Sequence, residues 1–247
     1  MLFKLAWTRF KGDGMTLPCH RSLRSVRLFA SLAPETLAQI EGRCDWRTYE
    51  AGEMIFSYGD ESRDVYFLAD GMVRISVYAP NGRQVQFRDT GPGDWFGEFS
   101  ALDGHPRSAT VEVLKTSLVA KMTDKVFLQT LEQQPGVGLR LARHLVRLAR
   151  GLTDRVYEFS ALAVNNRIQA EILRLAGEAG LANGTARIAP APTHADIASR
   201  VSTHREAVTR EINRLNKLGI LKPSRNCLEI RDIERLKKLV DDATGEA

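Results

Sequence analysis

The spacing of apolar residues changes twice along the chain, and each change predicts a different kind of structure. From about residue 45 to 123 the apolar runs are short: Met54-Ile55-Phe56, Val65-Tyr66-Phe67-Leu68, Val73-x-Ile75-x-Val77, Val85-x-Phe87 and Ser117-Leu118-Val119-Ala120. Gly59-Asp60, Asp70-Gly71, Asn81-Gly82 and Gly91-Pro92-Gly93-Asp94 separate them as turns. Successive side chains on a strand point to opposite faces, so this alternation predicts an antiparallel roll or barrel. Asn81-Gly82 predicts a tight hairpin, because both residues tolerate positive φ. A short helix over 34–42 precedes the strands, opened by Pro34 and carrying Leu37 and Ile40 on one side.

A helical texture follows from roughly 135 to 160. Leu141, Leu145, Leu148, Leu152, Val156 and Phe159 are spaced 4, 3, 4, 4 and 3 apart, close to a heptad seam. Arg140, Arg143, Arg147, Arg150 and Arg155 occupy other positions of the same helix, and Leu139 and Val146 make a second apolar line. One face can then pack on the chain's own strands and another on a second copy, so a homodimer through 135–162 is expected. Beyond a border near 160–163 the pattern is helical again. Ile168, Ile172, Leu173 and Leu175 mark a helix ending before Gly180 and Asn183-Gly184, and Pro190-Ala191-Pro192 breaks the chain. Two short capped helices, a strand pair around Ile220-Leu221 and Leu228-Glu229-Ile230, and a last helix near 232–240 complete it.

Composition narrows the class without choosing a function. A chain of 247 residues, 43% hydrophobic and 26% charged, suits one large or two modest globular domains. The net charge of +5 tilts only slightly toward a polyanionic partner. Cys19, Cys44 and Cys227 show no Cys-x-x-Cys spacing, which argues against a disulfide framework, a zinc site or an iron–sulfur cluster and suits a cytoplasmic protein. No apolar run approaches the roughly 18 residues of a membrane span. Met1 to Gly14 read poorly as a signal peptide, and Met15 is an alternative start.

The chemistry concentrates in Gly97 to Thr110. Arg107 can fork onto an anion, Ser108 adds a hydroxyl beside it, and backbone amides near Gly97 can form a nest for negative charge. The Glu98 carboxylate would repel a phosphate but suits the hydroxyl of a sugar. A cyclic nucleotide presents both groups. Without such a ligand, Glu98 and Arg107 would read as a surface ion pair, and His105 as a solvated loop tip. In the C-terminal region Thr193-His194-Ala195-Asp196 and Thr203-His204-Arg205-Glu206 both have the Thr-x-x-acid form of a helix start. Their ten-residue separation leaves room for a seven-residue helix and a tight turn, the spacing of a helix-turn-helix. Val208, Ile212 and Leu215 then form a buried face, leaving Arg205, Glu206, Thr209, Arg210 and Asn213 outward. Arginine can read guanine and glutamate can accept from cytosine. Arg214, Lys217, Lys222 and Arg225 are expected phosphate contacts.

Phe96-Gly97-Glu98 and Arg107-Ser108-Ala109, with the upstream Gly59-Asp60, Val65 to Leu68 and Gly71, resemble the phosphate-binding cassette of cyclic-nucleotide-binding domains. Over the whole chain the match is to the Crp–Fnr superfamily of bacterial transcription regulators. That resemblance implies an α+β protein: a β-roll of double-stranded antiparallel jelly-roll type over 15–134, a dimerisation helix over 135–162, and a winged helix-turn-helix over 163–247. The Cys/His pattern that haem or iron–sulfur sensing needs is lacking, and no nucleophile–base set, paired carboxylates or metal cluster appears in 163–247, so a non-enzymatic, metal-free regulator is expected. Gly97, Glu98, Arg107, Ser108 and Thr153 would bind the effector, and Thr203, His204, Arg205, Glu206, Thr209 and Arg210 would bind DNA. The expected partners are palindromic duplex operators with TGTGA-like half-sites and RNA polymerase. Two departures stand out: Ala101 replaces a larger aliphatic residue, and Leu152 stands where cyclic-AMP-binding members place the first of two adenine-contacting hydroxyls, with Thr153 retaining the second. Cyclic AMP is expected ahead of cyclic GMP. A same-fold regulator answering to cyclic di-GMP or to no small molecule, and a nucleotide-regulated enzyme, are the alternatives.

Overall fold

A computed structural model describes residues 21–79, 84–182 and 184–244. Cys19, the alternative start at Met15, Asn183 and the Asn81-Gly82 hairpin lie outside the described residues. Two long strands, β3 (Val65–Tyr78) and β6 (Thr110–Met122), pair antiparallel and form the spine of the N-terminal half. β1 (Asp45–Tyr49) and β2 (Met54–Phe56) pair with β6 on one edge, while β4 (Gln84–Thr90) and β5 (Trp95–Phe96) pair with β3 on the other. The two edges nevertheless meet: the ring of Phe56 lies 5.6 Å from Tyr66 and 6.0 Å from Phe96. The sheet is therefore rolled, and its inside is filled by Phe56, Tyr66, Leu68, Phe96, Val111 and Val119.

The other side of β3 is covered as well. Val65 and Phe67 pack with Leu23, Leu28 and Phe29, with Leu37 and Ile40 of α1 (Pro34–Glu41), with Phe127 of α3 (Asp124–Gln133) and with Val137 and Leu141 of α4 (Pro135–Ala161). Burial on both faces explains why Val65 to Leu68 is a continuous apolar run rather than an alternating one. The expected turn at Asp70-Gly71 is instead inside β3. Gly71 has φ +94, the register slips on either side of it, and a Cβ there would stand 2.5 Å from Ser117 Cα. Glycine serves here as a bulge that lets two backbones approach, a local signature indistinguishable in sequence from a turn.

Helix α4 runs for 27 residues with Pro135 at its start. The expected seam divides along its length. Leu141 is buried in the β-domain core and Leu145 packs against it, whereas Leu152, Val156 and Phe159, together with Leu139 and Val146, are exposed on the single chain. The seam positions of the first turns are thus claimed by the roll, and those of the later turns stay exposed.

The C-terminal half is built from α5 (Val164–Ala179), α6 (His194–Arg200), α7 (Arg205–Lys217) and α8 (Ile233–Thr244). A four-stranded antiparallel sheet, β7 (Leu181–Ala182), β8 (Thr185–Ile188), β10 (Leu228–Ile230) and β9 (Leu221–Pro223) in that spatial order, sits beside them. Ile168, Ile172, Leu175, Val208, Ile212, Leu215, Ile220 and Leu236 form their common core. No described helix is long and apolar enough to cross a membrane.

Candidate functional site

Strand β5 ends at Phe96, and Gly97 turns the chain at φ +86 into the short helix α2 (Glu98–Asp103). A Cβ at Gly97 would lie 2.8 Å from Arg107 Nη1 and 2.9 Å from the Asp64 carbonyl oxygen, so glycine is required by both conformation and space. Arg107 is only 2% exposed. Its Nε donates to Ser62 Oγ at 3.0 Å, Nη1 to the Gly97 carbonyl at 2.9 Å and Nη2 to the Asp64 carbonyl at 2.8 Å. The guanidinium also lies 4.1 Å from the centroid of the Phe56 ring. This is no surface ion pair: three acceptors from two separate segments orient one cation, leaving part of its fork unspent.

Glu98 is 3% exposed at the start of α2. Burial pushes its carboxyl above the usual carboxylate range, opposed by a backbone hydrogen bond and by the charges of Arg88 and Arg107. Glu98, Arg107, Gly97 and Ser108 line one cavity of about 440 Å³. Phe56, Phe87 and Phe96 supply aromatic wall, and Leu148, Gly151 and Leu152 of α4 close one side. Thr153 is not among the lining residues; on the single chain it is exposed and its hydroxyl donates to the Ala149 carbonyl at 3.1 Å. His105 is exposed, with Nδ1 3.1 Å from the Asp103 carbonyl oxygen.

The remaining wall was not legible in the motif. Arg88, Asp89, Arg147 and Arg155 line the cavity, and so do Arg174, Glu178 and Arg200 from the C-terminal half. The two halves are pinned together beside it. Asp89 accepts from Arg74 Nε at 2.9 Å and from Arg200 Nη2 at 3.0 Å, while Arg74 Nη1 lies 2.7 Å from Asp196 Oδ1. Arg200 Nη1 reaches Glu171 at 3.2 Å, and Arg155 Nη1 donates to the carbonyls of Gln86 and Arg200 at 3.3 and 3.4 Å. α6 therefore rests on β4, with Ser199 Oγ donating to Gln86 Oε1 at 3.3 Å. Gln86 and Thr90 on the polar face are buried, whereas Phe87 on the apolar face stays 37% exposed beside the cavity, so alternation gave the period of β4 but not the face that is covered.

The second candidate surface lies on α6 and α7. Thr193 caps α6 in a full capping box: its hydroxyl accepts from the Asp196 amide at 3.0 Å, and Asp196 accepts from the Thr193 amide at 3.0 Å. The matching box expected at Thr203 does not form. Ser202 takes φ +52 and the Thr203 amide is spent on the Ala198 carbonyl, so the helix opens one residue later, with His204 as an N-cap that makes no side-chain bond. Val208, Ile212 and Leu215 are buried as their spacing predicts, while His204, Arg205, Glu206 and Arg210 are exposed and Thr203 and Thr209 half-buried. The Thr209 hydroxyl donates to the Arg205 carbonyl at 3.0 Å and lies 2.8 Å from His194 Nδ1, tying α7 to α6. Glu211 sits unexpectedly in the buried stripe, accepting from Gln169 Nε2 at 2.6 Å and from Arg214 at 2.7 and 2.9 Å. Arg214, expected at DNA phosphates, is thus engaged within the domain. Lys222 and Arg225 are exposed around the β9–β10 connection, where Ser224 and Cys227 hydrogen-bond across the turn.

Comparison with known proteins places these features in families. Residues 46–134 match the cyclic nucleotide-binding domain, and residues 139–239 match the Crp-like helix-turn-helix domain. The chain is similar to a CRP-like cAMP-activated global transcriptional regulator of Mycobacterium tuberculosis, 25% identical over 217 residues that cover 87% of this chain and 97% of that one. It is also similar to the cyclic AMP receptor protein of Thermus thermophilus, 27% identical over 217 residues, covering 88% and 98% respectively. Among solved structures, a mutant of CooA from Carboxydothermus hydrogenoformans shares the fold with a TM-score of 0.76 over 87% of this chain and 95% of that one, at 17% identity.

Proposed function

This chain belongs to the Crp–Fnr superfamily of transcription regulators, and from that premise we propose that it is a homodimeric DNA-binding switch controlled by a cyclic nucleotide, cyclic AMP ahead of cyclic GMP. The observation that carries the reading is the convergence of Glu98 and Arg107, each at most 3% exposed, on one cavity walled by α4. Burying a phosphate costs several kcal/mol unless a cation and hydrogen bonds replace its water. Arg107 and Ser108 supply those groups, Glu98 takes the ribose hydroxyl, and the aromatic and leucine walls take the base. Leu152 faces the cavity and gives the base an apolar contact in place of a hydroxyl. Thr153, exposed one residue further on, reads as a contact that a second protomer completes.

Output follows from the cavity's third wall. A ligand in contact with Arg174, Glu178 or Arg200 alters directly the ion pairs that hold α6 on β4, and with them the placement of α7. Coupling of about 1–3 kcal/mol corresponds to a 5- to 150-fold change in operator affinity. The exposed Leu152, Val156 and Phe159 face supplies the dimer seam, which sets two recognition helices one duplex turn apart on a palindrome with TGTGA-like half-sites. In each of them Arg205, Glu206 and Arg210 read bases, with Thr203, His204 and Thr209 at the same end. RNA polymerase is the downstream partner, the compartment is the cytoplasm, and no catalysis is involved.

Calorimetric titration with cyclic AMP and cyclic GMP, on the wild type and on Glu98→Gln and Arg107→Lys, tests the sensor. Arg107→Lys keeps the charge but loses the planar fork, at about 1.5–3 kcal/mol for each charge-assisted hydrogen bond lost. It is therefore expected to lose at least about tenfold in affinity. Equal affinity in wild type and Arg107→Lys would refute the pocket assignment. A parallel selection of operator sequences with Arg205→Ala is expected to relax one base position.

A further inference from the structure

A second recess, of about 690 Å³, lies beside the first and shares Arg88, Arg147 and Leu148 with it. Its other walls are Arg27, Ala30, Asp94, Trp95, Arg140, Arg143 and His144. Five guanidiniums thus face one carboxylate, and that carboxylate, Asp94, is already paired with Arg27. Arg140 donates to Ser31 Oγ at 3.3 Å; Arg143 and Arg147 have no acidic partner among the described residues. Arg140, Arg143 and Arg147 lie on successive turns of α4, and like charges so spaced cost helix stability unless something compensates them. The seam between the halves shows the contrast, since there Arg155, Arg174 and Arg200 are all matched by Glu158, Glu171 or Asp89.

The recess also has a built floor. The His144 ring rests 4.5 Å from Trp95, and Trp95 is 3% exposed with its indole Nε1–H lacking a partner. Burial, followed by the fields of Arg88, Arg147 and Arg27, lowers the His144 pKa to about 4, so the imidazole is neutral at physiological pH and the arginines alone set the charge. Buried unsatisfied donors are rare in native proteins. A concave, aromatic-floored site with an excess of forked cations matches a compact polyanion rather than a duplex, whose rigid backbone cannot enter a recess of this size. One phosphate would leave most of these guanidiniums unmatched, whereas a chain of two or three phosphates, carrying three to four charges, balances them.

We propose that this recess is a second effector site, binding an oligophosphate, free or carried by a nucleoside, through Arg27, Arg88, Arg140, Arg143 and Arg147. The test is calorimetry of the full-length protein with inorganic tripolyphosphate, repeated with ATP, in the presence of saturating cyclic AMP and at two salt concentrations. The result expected is saturable binding with one site per chain, weakened by salt, with ATP binding too where the nucleoside is tolerated. A charge-assisted contact of about 1.5–3 kcal/mol per arginine corresponds to roughly ten- to a hundredfold. The double variant Arg140→Gln/Arg143→Gln should therefore lose at least about tenfold, while its melting temperature does not fall below that of the wild type. The His144 ring resonances should move on titration and their midpoint rise, because an anion offsets the arginine field. Absence of saturable heat, or undiminished tripolyphosphate affinity in the double variant, would overturn the proposal. Loss of random-sequence duplex binding in the double variant, without any loss of tripolyphosphate binding, would assign these arginines to DNA and overturn it equally.

Discussion

Gly97 shows how one residue can serve both the backbone and a charge. Its φ of +86 turns β5 into α2, and its missing side chain leaves the space that Arg107 Nη1 and the Asp64 carbonyl occupy. Gly97→Ala meets both constraints at once. Left-handed strain alone costs about 1–3 kcal/mol, and the displaced guanidinium would also loosen its bonds to Ser62 and Asp64. The variant is expected to unfold at lower urea and to bind cyclic nucleotide more weakly. Wild-type stability with normal binding would show that the local backbone relaxes at no cost. Sequence alone marked Gly97, Glu98, Arg107 and Ser108, because their chemistry is compressed into one short segment. It did not mark Ser62 or the Asp64 carbonyl, which orient the arginine from a loop more than forty positions away.

Among the elements, α7 carries the largest difference between expectation and structure. Its apolar stripe was evident from spacing, yet Glu211 lies inside that stripe and is buried with Gln169 of α5. The pair fixes how α7 sits on α5. Glu211→Ala strands the Gln169 amide and releases Arg214, so it is expected to lower the unfolding free energy by about 1–3 kcal/mol. Glu211→Gln, which keeps an acceptor, should cost less, and urea titrations of the two variants measure the difference. Equal losses would mean that volume rather than the hydrogen bond matters at this position. The helix start belongs to the same scale. A Thr-x-x-acid pattern predicts a cap at both α6 and α7, but only the first forms, because the tertiary bond from the Thr203 amide to Ala198 shifts the second start.

For the whole molecule, the decisive feature is the charged seam between halves. Asp89 accepts from Arg74, Gln86 and Arg200, and so joins β3, β4 and α6. Isolated surface pairs contribute little, but shared, partly buried networks are costly to break. Asp89→Ala leaves two arginines facing each other and is expected to free α6 from β4. Opening would become easier by about 1–3 kcal/mol. Hydrogen exchange in α6 should then be roughly 5- to 150-fold faster, with β3 and β6 unaffected. Unchanged exchange in α6 would show that apolar packing alone holds the halves together.

The order of apolar periods was enough to predict the strands of the roll, the long helix and the helix-turn-helix, because the period of each element is local, even though the pairing that closes the roll joins residues as far apart as Asp45 and Lys121. The cassette was readable for the same reason. Three things rested on tertiary structure: the burial of Gln86, the division of the α4 seam, and the arginine-lined third wall of the cavity. Arg200 and Asp89 stand 111 positions apart. No local pattern reports such a distance; the packing of α6 on β4 makes those two side chains neighbours.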